Sequence, residues 1–305
     1  MTLFPKDFPL VNSSKVLEEV KNKYPKYDPY FVASGCIKVR REKFNSLWTQ
    51  FKHLLDKEKT RIFLSKIKQN GQFHENTWEM YLGCVLANHL PKVTTSPKDK
   101  GIDFMVSGKD GDEIFIEAVA CKKGSSDDAV PDMVVSDMKN VSFYDVPHDE
   151  MLLRLSNSID YKAKQYKDFI GKIKKPYIIA INKGALEHVE PDKPLVLKCL
   201  FGLGYQQINI TDGKPRPVTW SKREFIEKKN GEKISMTFFE KEENNFVSAV
   251  IYCSENILNS PNKIGSDCIL VHNPKARFPI DTKTFSFLDQ WKSESVGNGL
   301  EIKKI

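Results

Sequence analysis

The chain has 305 residues, 40% of them apolar and 29% charged, enough to bury a substantial core as one elaborated domain or two small ones. Its six cysteines (Cys36, Cys84, Cys121, Cys199, Cys253 and Cys268) form no CxxC pair, which argues against a zinc cluster and a disulfide scaffold and points to a reducing, cytoplasmic setting. No apolar run approaches the roughly 20 residues needed to span a bilayer or forms a signal peptide at the start, so no membrane partner is expected.

The net charge of +7 is unevenly spread. Residues 1–70 carry 15 basic against 7 acidic groups, residues 99–150 carry 5 against 13, and residues 151–175 carry 7 against 2. An acidic block flanked by basic ones suits a protein that attracts a phosphate backbone and gathers carboxylates around a cation.

Residues 1–35, rich in Pro, Tyr and Lys, are expected to wrap a surface. From Glu42 onward, Phe44, Leu47, Trp48, Phe51, Leu54 and Leu55 recur at helical spacing. A second helix follows, with Trp78, Tyr81, Leu82, Val85, Leu86, His89 and Leu90 on its apolar face, His74 or Asn76 as its cap, and Pro91 at its end. Residues 101–106 and 113–120, joined by a turn at Gly108 to Gly111, read as a hairpin. Residues 124–150 read as a polar, acidic loop. The stripe Leu152, Leu155, Ile159, Ala163, Tyr166, Ile170 and Ile173 predicts a helix, and Tyr177–Ile181 a buried strand. Beyond Pro191 the pattern predicts strands at 195–201, 205–210, 234–239, 246–253 and 269–272, with a short helix at 222–229. This divides the chain into a helical, basic region (1–70), a mixed core (71–185) and a strand-rich remainder (186–305) that extends the sheet or forms a small lobe.

Glu117 is the most informative residue, because it interrupts the apolar strand Ile-Phe-Ile-Glu-Ala-Val-Ala. A buried carboxylate costs several kcal/mol unless it is paired or bound to a cation, on the order given by ion-transfer energies. Asp103, in the preceding strand, is its natural companion across the turn, and with a strand carbonyl such as that of Ala118 the pair makes a plausible Mg²⁺ or Mn²⁺ site. Arg154, Ser158, Lys162 and Gln165 form one polar line on the following helix, suited to phosphate. Lys38, Arg40, Arg41 and Lys43 would add sequence-independent backbone affinity. His74, His89 and His272 show no metal-ligand spacing, and no phosphate-cradling glycine loop or GxSxG turn is present.

Over residues 75–182 the pattern resembles the PD-(D/E)XK (restriction endonuclease-like) nuclease superfamily. The resemblance implies a mixed α/β fold with an αβββαβ core, here with a helical N-terminal extension and a β-rich C-terminal one. It implies that Glu79, Asp103 and Glu117 hold the metal, with Glu75 one turn earlier as the alternative to Glu79. The superfamily's lysine two residues after the second acid is replaced by Val119. Lys122 and Lys162 are the candidates to stand in for it, and Gln165-Tyr166 resembles a pair that supports the site. The expected activity is metal-dependent phosphodiester hydrolysis, of DNA before RNA, with a homodimer open as the assembly. The alternative is an inactive nuclease-like binding module in a defence or repair system.

Overall fold

The computed structural model describes all residues except 1, 96–100, 109–110, 134–144, 191–192, 208–209, 212–213, 216–218, 255, 257–258 and 297–298. Four helices open the chain: α1 (Ser14–Lys23), α2 (Pro29–Cys36), α3 (Lys38–Phe51) and α4 (Lys57–Lys66). Helix α1 is capped by the Ser13 side chain, α2 by Asp28 and α4 by Asp56, each accepting a free first-turn N–H. Residues 1–35, expected to wrap the surface, thus include two capped helices, and α2 is apolar and buried along most of its length.

Next come α5 (Phe73–His89), β1 (Val93–Thr95), β2 (Phe104–Ser107), β3 (Glu113–Ala120), α6 (His148–Ile173) and β4 (Tyr177–Asn182). Neither His74 nor Asn76 caps α5. Its N-cap is Gln72 without a side-chain bond, while Asn76 donates to the Gln72 carbonyl from inside the first turn. Lys109 and Asp110 of the expected turn lie outside the described residues, but β2 and β3 pair antiparallel with Phe104 opposite Ile116. Much of the expected acidic loop, 134–144, also lies outside them.

After β4 come α7 (Leu195–Phe201), β5 (Leu203–Gln207), β6 (Ile210–Thr211), β7 (Lys214–Pro215), β8 (Thr219–Lys222), β9 (Phe225–Glu227), β10 (Lys233–Ser235), β11 (Ala249–Cys253), β12 (Cys268–His272), β13 (Asp289–Val296) and β14 (Gly299–Lys304). The principal sheet runs β1-β2-β3-β4-β11-β12-β13-β14, so the C-terminal region extends the core sheet. It is mixed: β3, β4 and β11 are mutually parallel, as are β12 and β13, and the other pairings are antiparallel. Three two-stranded ribbons, β5-β8, β6-β7 and β9-β10, lie outside it.

Three expectations for this half are corrected, the first being 234–239, read as a strand, which is one only to Ser235 and forms a 3₁₀ turn at Phe238–Glu240. Residues 195–201, read as a strand, form α7, which starts after Pro194 and ends at Gly202 with a backbone φ of 65°; the Gly202 N–H bonds the Lys198 carbonyl. Every residue of α7 is buried, so its apolar run lacks the polar face that would reveal helical spacing. Residues 222–229, read as a helix, supply the end of β8 and all of β9, where exposed Phe225 and Glu227 flank buried Ile226 in strand alternation.

The central strands β3, β4 and β11 are buried on both sides. Phe104, Ile116, Ala118, Ile178, Ala180 and Ile251 pack with α3 and α5, whereas Phe115, Val119, Ile179, Ile181 and Val250 pack with α6 and α7. Trp78 of α5 is fully buried and its Nε1 donates to the Ala180 carbonyl at 2.9 Å, tying helix to strand. Trp78→Ala is expected to cost about 3–5 kcal/mol, read as a lower urea midpoint at unchanged slope. Gly83, one turn further on, lets α5 approach α3, since an added Cβ would stand 2.6 Å from the Phe51 ring.

Among the described residues no helix is long and apolar enough to cross a membrane. All six cysteines are buried and outside any disulfide.

Candidate metal and phosphodiester site

The site forms where the β2–β3 ladder stops. Odd-numbered N–H groups of β3 face β4, as Phe115 N–H bonding the Pro176 carbonyl shows, so the Ala118 N–H faces the β2 side. There β2 has ended at Phe104, and the Asp103 side chain replaces the missing strand carbonyl by accepting the Ala118 N–H at Oδ2, 2.8 Å away. A buried backbone donor is thereby satisfied and Asp103 is fixed beside Glu117. Glu117 points to the α6 side of the sheet and is 2% exposed. Its Oε1 accepts from Lys162 Nζ at 2.5 Å.

Glu117 Oε2 is buried without a hydrogen-bond partner among the described residues. The Tyr166 hydroxyl, also beside Glu117, donates instead to the Gly101 carbonyl. Helix α5 supplies the third acid, Glu79, which with Asp103 lines a cleft of about 290 Å³ walled by Lys59 and Lys66 of α4, Thr95 and Gly101.

The electrostatics follow from this crowding. Burial, then the Asp103 charge, raise Glu79 to about 8, and Lys66 only partly opposes them. Burial and Asp103 raise Glu117 to about 8 despite Lys162. Burial raises Asp103 to about 6, with the Ala118 N–H and Lys162 holding it lowest of the three. For Lys162, burial favours the neutral amine, but Glu117 and then Asp103 outweigh it and the ammonium is stabilised. Asp103 and Glu117 thus share the largely buried Lys162 ammonium, while Glu79 meets the charge of Lys66. Fully ionised, the three carboxylates outnumber these two ammonium groups, and the negative surplus favours a cation. Its donors are all carboxylate oxygens, the set that Mg²⁺ and Mn²⁺ favour, and Oε2 of Glu117 is a buried acceptor available to one.

The two candidate lysines are placed differently. Lys162 stands at Glu117, whereas the exposed Lys122 lies 3.4 Å from Glu75, also half-exposed. The remaining polar line of α6 is turned toward protein. Arg154 Nη2 donates to the Asp128 carbonyl at 2.8 Å and contacts Ser126 Oγ, Ser158 faces the Cys121 thiol, and Gln165 donates to the Tyr166 hydroxyl. In the N-terminal basic group, Arg41 is committed to the Phe8 and Gly35 carbonyls, anchoring the first residues. Lys38 is exposed, and Arg40 lines a separate polar cavity of about 580 Å³ with Lys183, Glu187 and Glu190. The Lys59 and Lys66 wall escaped sequence reasoning because nothing in the α4 segment links it in chain order to the acids.

No protein-family model matches this chain, and no curated protein or solved structure shows significant similarity to it.

Proposed function

We propose that this chain is a divalent-metal-dependent nuclease of the PD-(D/E)XK type, hydrolysing phosphodiester bonds, DNA foremost. The observation that carries this reading is the buried Glu117, one oxygen on Lys162 and the other without a partner, beside Asp103 and Glu79. The order α5, β1, β2, β3, α6, β4 supports it, being the αβββαβ order that the resemblance implies.

Glu79, Asp103 and Glu117 would hold the ion. Once bound, the ion supplies an acidified water and neutralises charge on the phosphate. Asp103, fixed by the Ala118 N–H, and Glu117, fixed by Lys162, present oxygens that need little reorganisation. The Lys162 ammonium, kept charged by those carboxylates, orients the attacking water or balances charge on the phosphate oxygens. Its position on α6 replaces the lysine that Val119 displaces from β3. Lys59 and Lys66 line the approach and favour a polyanion there.

The test is incubation of plasmid, single-stranded DNA and RNA with the protein in Mg²⁺ or Mn²⁺, alongside the Asp103→Ala/Glu117→Ala variant. Cutting by the native chain alone is expected. Equal behaviour of the two proteins removes the enzyme and leaves a binding module.

A further inference from the structure

We infer that Cys253, Cys268 and Asp267 form a second, softer cation site that takes Zn²⁺ and pins the β11–β12 end of the sheet to α5. The absence of a CxxC pair had argued against a zinc cluster. The fold supplies what local spacing does not, because Cys253 closes β11, Cys268 opens β12, and the antiparallel register sets them directly opposite each other. Both side chains lie on the α5 side of the sheet, buried.

Asp267 Oδ2 lies 3.3 Å from Cys253 Sγ, Asp267 Oδ1 lies 3.9 Å from Cys268 Sγ, and one donor atom from each residue falls within 4.8 Å of the others. Tetrahedral zinc, with bonds of about 2.3 Å to sulfur and about 2.0 Å to oxygen, sets neighbouring sulfur and oxygen ligands roughly 3.5 Å apart. The two observed separations, made from different oxygens of Asp267, lie on either side of that value, and closing the site draws the three donors together from within 4.8 Å.

The carboxylate is held for the purpose. Tyr81 of α5 donates its hydroxyl proton to Asp267 Oδ1 at 2.5 Å, and its oxygen accepts the Gly265 N–H at 3.0 Å, giving the ligand outer support. Gly265 has a φ of 87°, and a Cβ there would stand 2.8 Å from Val85, so only glycine brings this turn down onto α5. Two thiolates and a carboxylate around Zn²⁺ leave one negative charge. Lys43 of α3, whose Nζ donates to the Ser260 carbonyl at 2.7 Å, feels the Asp267 charge. A water reached past the half-exposed Asp267 completes four-coordination. Thiolate ligands set this site apart from the all-oxygen one, with which it shares no residue.

The experiment is a Co²⁺ titration of chelator-treated full-length protein, since cobalt bound by thiolate shows an intense charge-transfer absorption. One equivalent bound with that absorption, displaced by Zn²⁺, is the expected result. The absorption persists in Asp103→Ala/Glu117→Ala, disappears in Cys253→Ala, and needs at least about tenfold more cobalt in the conservative Asp267→Asn. The inference is overturned if the native protein shows no such absorption or Asp267→Asn leaves it undiminished. It is equally overturned if only four of the six thiols titrate after unfolding, which would mean a Cys253–Cys268 disulfide.

Discussion

Replacing Lys162 with alanine is expected to lower the cleavage rate by about 10²- to 10⁴-fold, the usual worth of a positioned proton-transfer or charge-stabilising group. Lys162 is 13% exposed and held by Glu117, so its ammonium is already at the acids when substrate arrives. Lys122→Ala should change the rate by less than about threefold, because an exposed pair with Glu75 contributes little. Lys162→Ala also strands a buried carboxylate, so the variant should be assayed in saturating Mn²⁺ after its thermal midpoint confirms folding. A Lys122→Ala defect as deep as that of Lys162→Ala would show that α6 does not supply the working lysine.

The second large effect is the coupling of stability to pH and to the ion. The folded-state values of Glu79, Glu117 and Asp103 lie above their ordinary ones, chiefly through burial and mutual repulsion. Each group therefore binds its proton more tightly in the folded chain than in the unfolded one. Its stabilising contribution is fully present below the ordinary carboxylate range, near 4, and is lost as pH climbs toward about 8. Chelated protein should accordingly melt at a lower temperature at pH 8 than at pH 5.5. Mg²⁺ should reverse this, adding about 2.7 kcal/mol at a hundredfold excess over its dissociation constant, with the larger gain at pH 8 where the cluster is ionised. Burial also lowers His74, which favours the native state as pH rises and opposes the trend. Glu79→Gln separates the two effects, because it removes one raised carboxyl, leaves His74 in place and should flatten the decline above pH 6. A decline equally steep in that variant, or a Mg²⁺ gain independent of pH, would contradict the electrostatic picture.

How far the sequence disclosed this arrangement depended on whether the signal was local. Glu117 was legible because a lone carboxylate in an apolar strand violates the strand's own pattern, and Asp103 because a hairpin turn folds it back beside that strand. The α6 stripe was legible over nearly its whole length: Leu152, Leu155, Ile159, Ala163, Tyr166 and Ile170 are all buried. Choosing between Lys122 and Lys162 was not possible, since that depends on how α6 is rotated over the sheet, which is set by tertiary packing. The same packing turned Arg154 and Arg41 inward to carbonyls, where local reading had offered them to phosphate. Helix α7 was misread because a helix buried all round has no polar face to show its period. The β13–β14 hairpin at the sheet edge went unnoticed because its residues, such as Lys292, Glu294, Lys303 and Lys304, are mostly polar and carry no apolar alternation.

The central claim is that Glu79, Asp103 and Glu117 form one divalent-cation site, and anomalous diffraction from crystals soaked in Mn²⁺ tests it most directly. The account predicts a manganese peak about 2.1 Å from oxygens of Asp103 and Glu117, on the side of Glu117 Oε2. An empty acid cluster in a soaked crystal whose lattice leaves the cleft open, with all three carboxylates ordered, would contradict it.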